Sequence, residues 1–146
     1  MQVLPYLCFE GRCEEAIEHY KKVLGAEVCF VMRIGEIPQA PDDGICQGPV
    51  NPDPQKICHA HLKVGGNELL MSDGMNSGHV EFKGITLSVS LDSDEACRST
   101  FQALSEGGAV QMDLMNTFFA SLWGCCTDKF GVNWMVMSPA PVPAQA

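Results

Sequence analysis

The chain has 146 residues, 46% of them apolar, and a formal net charge of −9. This is about one domain's worth of chain with apolar material for one shared core, and its acidity argues against nucleic acid or an anionic membrane surface as a partner. Eight cysteines without a C-x-x-C spacing, and a start (Met-Gln-Val-Leu-Pro-Tyr) lacking a basic stretch and a cleavage site, point to a cytoplasmic protein with reduced thiols. No apolar run approaches the roughly 18 residues of a membrane span.

In chain order, residues 2–9 read as a strand that Gly11 breaks. Ala16, Ile17, Tyr20, Val23 and Leu24 then recur on one helical face, predicting a helix over 13–24. Glu18 and Lys22 form a favourable i,i+4 pair on its other face, and Gly25 is the natural C-cap. Residues 27–34 read as a second strand. Residues 35–56 are crowded with Gly and Pro, and a loop this long is a lid over a pocket, a partner-contact arm or a solvated excursion. Residues 57–64 and 67–73 form a hairpin turning at Gly65-Gly66. Its register sets Lys63 opposite Glu68. It places His59, His61, Lys63, Glu68, Leu70 and Ser72 on one face, and Cys58, Ala60, Leu62, Leu69, Met71 and Asp73 on the other.

After a linker over 74–83, the order begins again. A strand covers 84–91. A helix follows over 94–106, capped by Ser93 or by Asp92 with Glu95, and Gly107-Gly108 ends it. A strand over 109–115 and a hairpin over 122–137 turning at Gly131-Val132 complete the copy. Adjacent Cys125 and Cys126 point to opposite strand faces. Residues 139–146 alternate Pro with small residues and read as a mobile tail.

The second hairpin repeats the first at a spacing of 66: Lys63-Val64-Gly65-Gly66-Asn67-Glu68-Leu69-Leu70-Met71-Ser72 against Lys129-Phe130-Gly131-Val132-Asn133-Trp134-Met135-Val136-Met137-Ser138. The fold expected is therefore α+β: two βαβββ modules, 1–73 and 84–138, forming a curved mixed sheet around a central cleft with helices on the outside. Such a repeat also leaves an open sheet edge for a second chain to cover.

Pro5-Tyr6, the helix start Cys13-Glu14-Glu15-Ala16-Ile17-Glu18-His19-Tyr20, Leu24-Gly25-Ala26-Glu27, Gly35-Glu36-Ile37-Pro38, His59-Ala60, Met71-Ser72-Asp73, Gly84-Ile85-Thr86-Leu87, Thr117-Phe118 and the run Thr127 to Met135 carry a family likeness in their order. Together they resemble the vicinal oxygen chelate superfamily of glyoxalase I, extradiol dioxygenases, and fosfomycin and bleomycin resistance proteins. The chain is most similar to its PhnB-like branch, often labelled 3-demethylubiquinone-9 3-methyltransferase. The resemblance implies a homodimer and a divalent metal acting as Lewis acid, held by His and Glu from equivalent strands. Those positions fall near Pro5, Leu69, Thr86 and Met135. Pro and Leu cannot bind, Thr is weak and Met is soft, so the superfamily metal centre is not expected, although a divalent metal elsewhere is possible. Relatives also carry a His near Ser121, and its loss removes an acid or base. The methyltransferase label does not suit the residues: neither Gly65-Gly66 nor Gly107-Gly108 opens a helix after a strand, as a glycine-rich cofactor turn must.

Two readings of function follow. In the first, the protein binds a small, partly apolar molecule in the inter-module cleft, through Thr86, Phe118, Trp123, Met135 and Met71. In the second, it is a metal-dependent lyase, transferase or dioxygenase using His59 and Glu36. His59 and His61 are then the rival metal ligands, since a spacing of two puts both rings on one strand face. By the register above they lie opposite Leu69, whose counterpart in metal-binding relatives faces the cleft, so a bulge is needed to bring them to it. A dimerisation module with a collapsed cleft is a third reading.

Overall fold

In the computed structural model, which describes residues 1–38 and 53–139, the chain divides into two units, Met1–Val80 and Glu81–Ala146. The first contains β1 (Tyr6–Cys8), α1 (Cys13–Leu24), β2 (Glu27–Arg33), β3 (Ile57–Val64) and β4 (Asn67–Ser72), in sheet order β1-β4-β3-β2. The second contains β5 (Leu87–Ser90), α2 (Asp94–Ser105), β6 (Ala109–Met115), β7 (Ala120–Thr127) and β8 (Asn133–Pro139), in sheet order β5-β8-β7-β6. In each unit the first strand pairs parallel to the last and the others pair antiparallel. The expected α+β repeat of two βαβββ modules is present.

Local sequence explains most boundaries. Helix α1 buries Cys13, Ala16, Ile17 and Tyr20 on one face, with Glu14 and Glu15 in its first turn and Lys21 and Lys22 in its last, as its dipole favours. Gly25 ends it in the left-handed conformation, at φ 63°. Glu18 pairs with Lys21 at 2.8 Å, one position short of the expected Lys22. On α2 the cap is Ser93, whose Oγ accepts from Ala96 N at 3.2 Å. Strand β1 is shorter than the apolar run 2–9, and β5 begins only at Leu87. The second hairpin turns more widely than expected, over 128–132, because the buried Asp128 carboxylate accepts from Phe130 N and Val132 N. Pro139, expected in the tail, closes β8 opposite Ala120. Of the long loop, Ile34–Glu36 forms a 3-10 turn and 39–52 lie outside the described residues, as do 140–146 of the tail.

Each helix is fastened to its sheet at its first turn. Asp73, 2% exposed, accepts from Cys13 N through one carboxylate oxygen and from Ile57 N through the other, both at 2.7 Å. It thereby satisfies an orphan amide of α1 and the first amide of β3 together. Ser138 holds the corresponding place in the second unit. Its hydroxyl bonds Asp94 Oδ1 at 2.6 Å and accepts from Leu122 N at 3.1 Å. The hydroxyls of Ser138 and Ser121 hold the Asp94 carboxyl below its ordinary range.

The sequence repeat and the structural repeat are out of step by one residue. Cys8 lies beside Ser72 and Ser90 beside Met137, and each strand is followed by an equivalent bond, Phe9 N to Ser72 O and Leu91 N to Met137 O, both 2.8 Å. Ser72 therefore corresponds to Met137, not to Ser138, and Leu69 corresponds to Trp134. Burial agrees: Leu69 and Trp134 are 5% and 4% exposed under their helices, while Leu70 and Met135 are half-buried on the opposite faces. A one-residue slip exchanges the two faces of a strand. Replacing Leu69 by Ala should therefore cost about 2–5 kcal/mol in urea unfolding, and replacing Met135 by Ala about 1 kcal/mol or less. Equal losses would mean that the sequence repeat sets the faces.

Candidate functional site

Each sheet has one face under its helix and one open face. In the first unit, the strand pairings align Tyr6, Leu70, His61 and Phe30 in a row across the open face, with Met32 beside His59 in the next. In the second unit, two rows cross the open face: Ser88, Met135, Cys125 and Met112, then Ser90, Met137, Trp123 and Met115. The first face is aromatic and polar. The second is lined by sulfur and indole.

The centre of the first face is a Tyr–His pair. Tyr6 Oη lies 3.1 Å from His59 Nδ1 and 3.5 Å from Cys58 O, so the phenol can accept from one and donate to the other. The rings of Tyr6 and Phe30 flank the imidazole, with centroids at 5.6 and 6.2 Å. Burial raises the Tyr6 phenol above its ordinary value of 10.0, so it is a neutral hydroxyl at physiological pH. His61 faces the same way. Its Nε2 is 3.5 Å from Glu68 Oε2 and forms no hydrogen bond among the described residues, while that oxygen accepts from Gln2 Nε2 at 3.1 Å.

The sequence-derived candidates separate on this framework. His59 and His61 already lie on the open face that Leu70 shares, and the bulge thought necessary to bring them there is not needed. That expectation followed from equating Leu69 with Met135. Trp123 and Met135 also lie on an open face. Met71 does not: it is 0% exposed beneath α1, next to Ala60 and Leu7, and is a core residue. Glu36 is occupied by its own turn, its carboxylate accepting from Arg33 N at 2.7 Å. Thr86 is exposed just before β5. Phe118, 97% exposed, stacks edge-on against Phe119, which in turn stacks edge-on against Trp123. Sequence reasoning assigned no role to Tyr6, Phe30 or Met112. Their shared faces follow only from which strand pairs with which.

A cavity of about 410 Å³ at the start of α1 is lined by Arg12, Glu14, Glu18, Asp53, Lys56 and Asp73, among others. Several of its groups are already engaged: Arg33 holds Glu14 at 2.6 Å, and Lys56 Nζ donates to Gly11 O. Among the described residues, no three His, Cys, Asp or Glu side chains converge as metal ligands. No helix there is long and apolar enough to cross a membrane.

Residues 1–137 match the model of a family described as 3-demethylubiquinone-9 3-methyltransferase. The chain belongs to this family. It is 35% identical to Protein YjdN of Escherichia coli over 99% of this chain and all of that one. The structure of PA1353 from Pseudomonas aeruginosa is 38% identical, with a TM-score of 0.78 over 95% of this chain and 98% of that one. A putative 3-demethylubiquinone-9 3-methyltransferase, the PhnB protein of Bacillus cereus, is 25% identical, with a TM-score of 0.75 over 94% and 99%. A glyoxylase/bleomycin resistance protein/dioxygenase domain from Frankia shares the fold, with a TM-score of 0.60 at 15% identity over 96% and 93%.

These likenesses bring two groups into question, a divalent metal and an adenosyl methyl donor. For a divalent metal of the glyoxalase type, the strand pairings replace Pro5 and Leu69 by Tyr6 and Leu70, and bring Ser88 beside Met135. A neutral phenol, an aliphatic chain, a hydroxyl and a thioether do not fit a hard cation. For an adenosyl methyl donor, the turn from β1 into α1 has a single glycine. A Cβ on that glycine, Gly11, would meet Asn76 Oδ1 at 2.5 Å, so the space a glycine-rich turn leaves open is filled by protein. The turn from β5 into α2, Leu91-Asp92-Ser93, has no glycine. Replacing Tyr6 by Phe should shift the ring nitrogen signals of His59 in a nitrogen-15 spectrum and leave those of His61 in place. Unchanged His59 signals would show that the Tyr–His bond does not form.

Proposed function

We propose that this family member binds a small, partly apolar molecule at the open sheet faces, without the superfamily metal centre. The observation that carries the reading is the Tyr6–His59 bond, set among Phe30, Leu70 and His61 on a face the helix does not cover. A few fixed polar groups within apolar walls is the usual make-up of a small-molecule site. The donor set described above speaks against a hard metal ion as the centre of that site. The engagement of Glu36 with its own turn weakens the metal-dependent lyase, transferase or dioxygenase alternative. A homodimer belongs to the same proposal. It is supported by β2 and β6, which end their sheets with Val28, Val110, Met112 and Met115 all at least 40% exposed.

A thermal-shift screen of small aromatic carbonyl and phenolic compounds tests the reading. A ligand at 100 times its Kd should add about 2.7 kcal/mol to the native state, and His59→Ala should abolish that shift. Metal analysis of protein purified without a polyhistidine tag should find less than stoichiometric metal. Stoichiometric metal that disappears in His59→Ala would overturn the proposal in favour of a metal enzyme.

A further inference from the structure

The second open face carries a buried donor with no partner. Trp123 Nε1 is shut off from solvent and has no hydrogen-bond acceptor among the described residues. The contrast with Trp134 is direct: its Nε1 donates to Asp128 Oδ2 at 2.8 Å. Indole nitrogens in protein interiors nearly always find an acceptor, and an unpaired one calls for an explanation. The side chains paired directly beside Trp123 supply none. Its cross-strand neighbours are Met137 and Met115, the adjoining row contributes Met135, Cys125 and Met112, and the Phe119 ring stands edge-on at 5.9 Å. Thioethers are poor acceptors and adapt easily to a flat partner. Burial raises the Cys125 thiol, which therefore stays neutral and supplies no anionic acceptor.

We infer that Trp123 is the polar anchor of a subsite for a planar, apolar ligand bearing a hydrogen-bond-accepting oxygen, such as a ring carbonyl. The oxygen takes the indole N–H, and the methionine side chains pack against the ring faces. Phe119, 47% exposed and edge-on to the indole just before β7, borders the subsite on its solvent side. The inference rests on the reading that the open faces bind a small molecule, and it names the chemistry recognised on one of them.

Fluorenone and fluorene form a matched pair of probes, alike in shape and differing by the carbonyl. The protein has two tryptophans and hence two indole N–H signals in a proton–nitrogen spectrum, which Trp123→Phe assigns. Fluorenone should move the Trp123 signal downfield and leave the Trp134 signal in place. It should bind about tenfold more tightly than fluorene, the worth of one hydrogen bond. In Trp123→Phe that preference should fall below about twofold. Equal affinity for the two probes, a preference that survives Trp123→Phe, an unmoved Trp123 signal in the saturated wild-type protein, or no binding of fluorenone would each overturn the inference. Failure of the broader reading is separate: it shows as the absence of any ligand whose thermal shift depends on His59.

Discussion

Side chains at paired positions of neighbouring strands must lie on the same face of the sheet. In this protein that constraint acts through the parallel pairing of the first strand of each module with the last. Tyr6 beside Leu70 and Ser88 beside Met135 fix what each sheet presents away from its helix. With those pairings set, the histidines of β3 and the methionines of β8 take up open positions, and Leu69, Met71, Trp134 and Val136 go to the helix-facing core. A slip of one residue in either pairing would bury the polar set and expose the core set, so the register is strongly specified.

Uncharged contacts alone do not hold those pairings. Each unit places a polar group where the last strand or the hairpin loop meets backbone that has no ladder partner. Asp73 binds the amides of Cys13 and Ile57, and Asp128 binds those of Phe130 and Val132 together with the Trp134 indole. Both carboxylates are 2% exposed, and these donors offset the cost of burying them. The two modules solve one problem differently. Where the first uses an aspartate to grip the helix start, the second uses Ser138 to grip the aspartate that begins its helix. The open faces have diverged further, one towards Tyr and His, the other towards sulfur and indole.

Much of the architecture was legible in the sequence. Helical periodicity gave the bounds of α1, and the Gly65-Gly66 turn gave those of β3 and the start of β4, because these signals are local. The register between the modules was not legible. Lys129 to Ser138 looks like Lys63 to Ser72, yet the first hairpin turns on two residues and the second on a loop organised by the buried Asp128. Matching letters therefore occupy opposite faces. The same limit governed the site. His59, Trp123 and Met135 were candidates by residue type and family likeness, and the strand pairings put them on open faces, whereas Tyr6 and Phe30 gain meaning only from strands distant in sequence. Met71, expected among the ligand-lining candidates, lies in the core for the same reason. Glu36 looked free, because nothing in the sequence shows that its carboxylate returns to the amide of Arg33.

Cys125 and Cys126 give the most direct test, because neighbouring residues on one strand sample both faces. Cys125 is half-buried on the open face. Cys126 is 0% exposed under α2, with its thiol pushed up to about 11 by burial. Pulsed alkylation of the native protein, read by fragmentation of the peptide carrying both residues, should label Cys125 at least about tenfold faster, since reaction needs an accessible thiolate. Faster labelling of Cys126 would mean that the faces of β7 are reversed, and with them the assignment of Trp123, Met135 and Met137 to the open side.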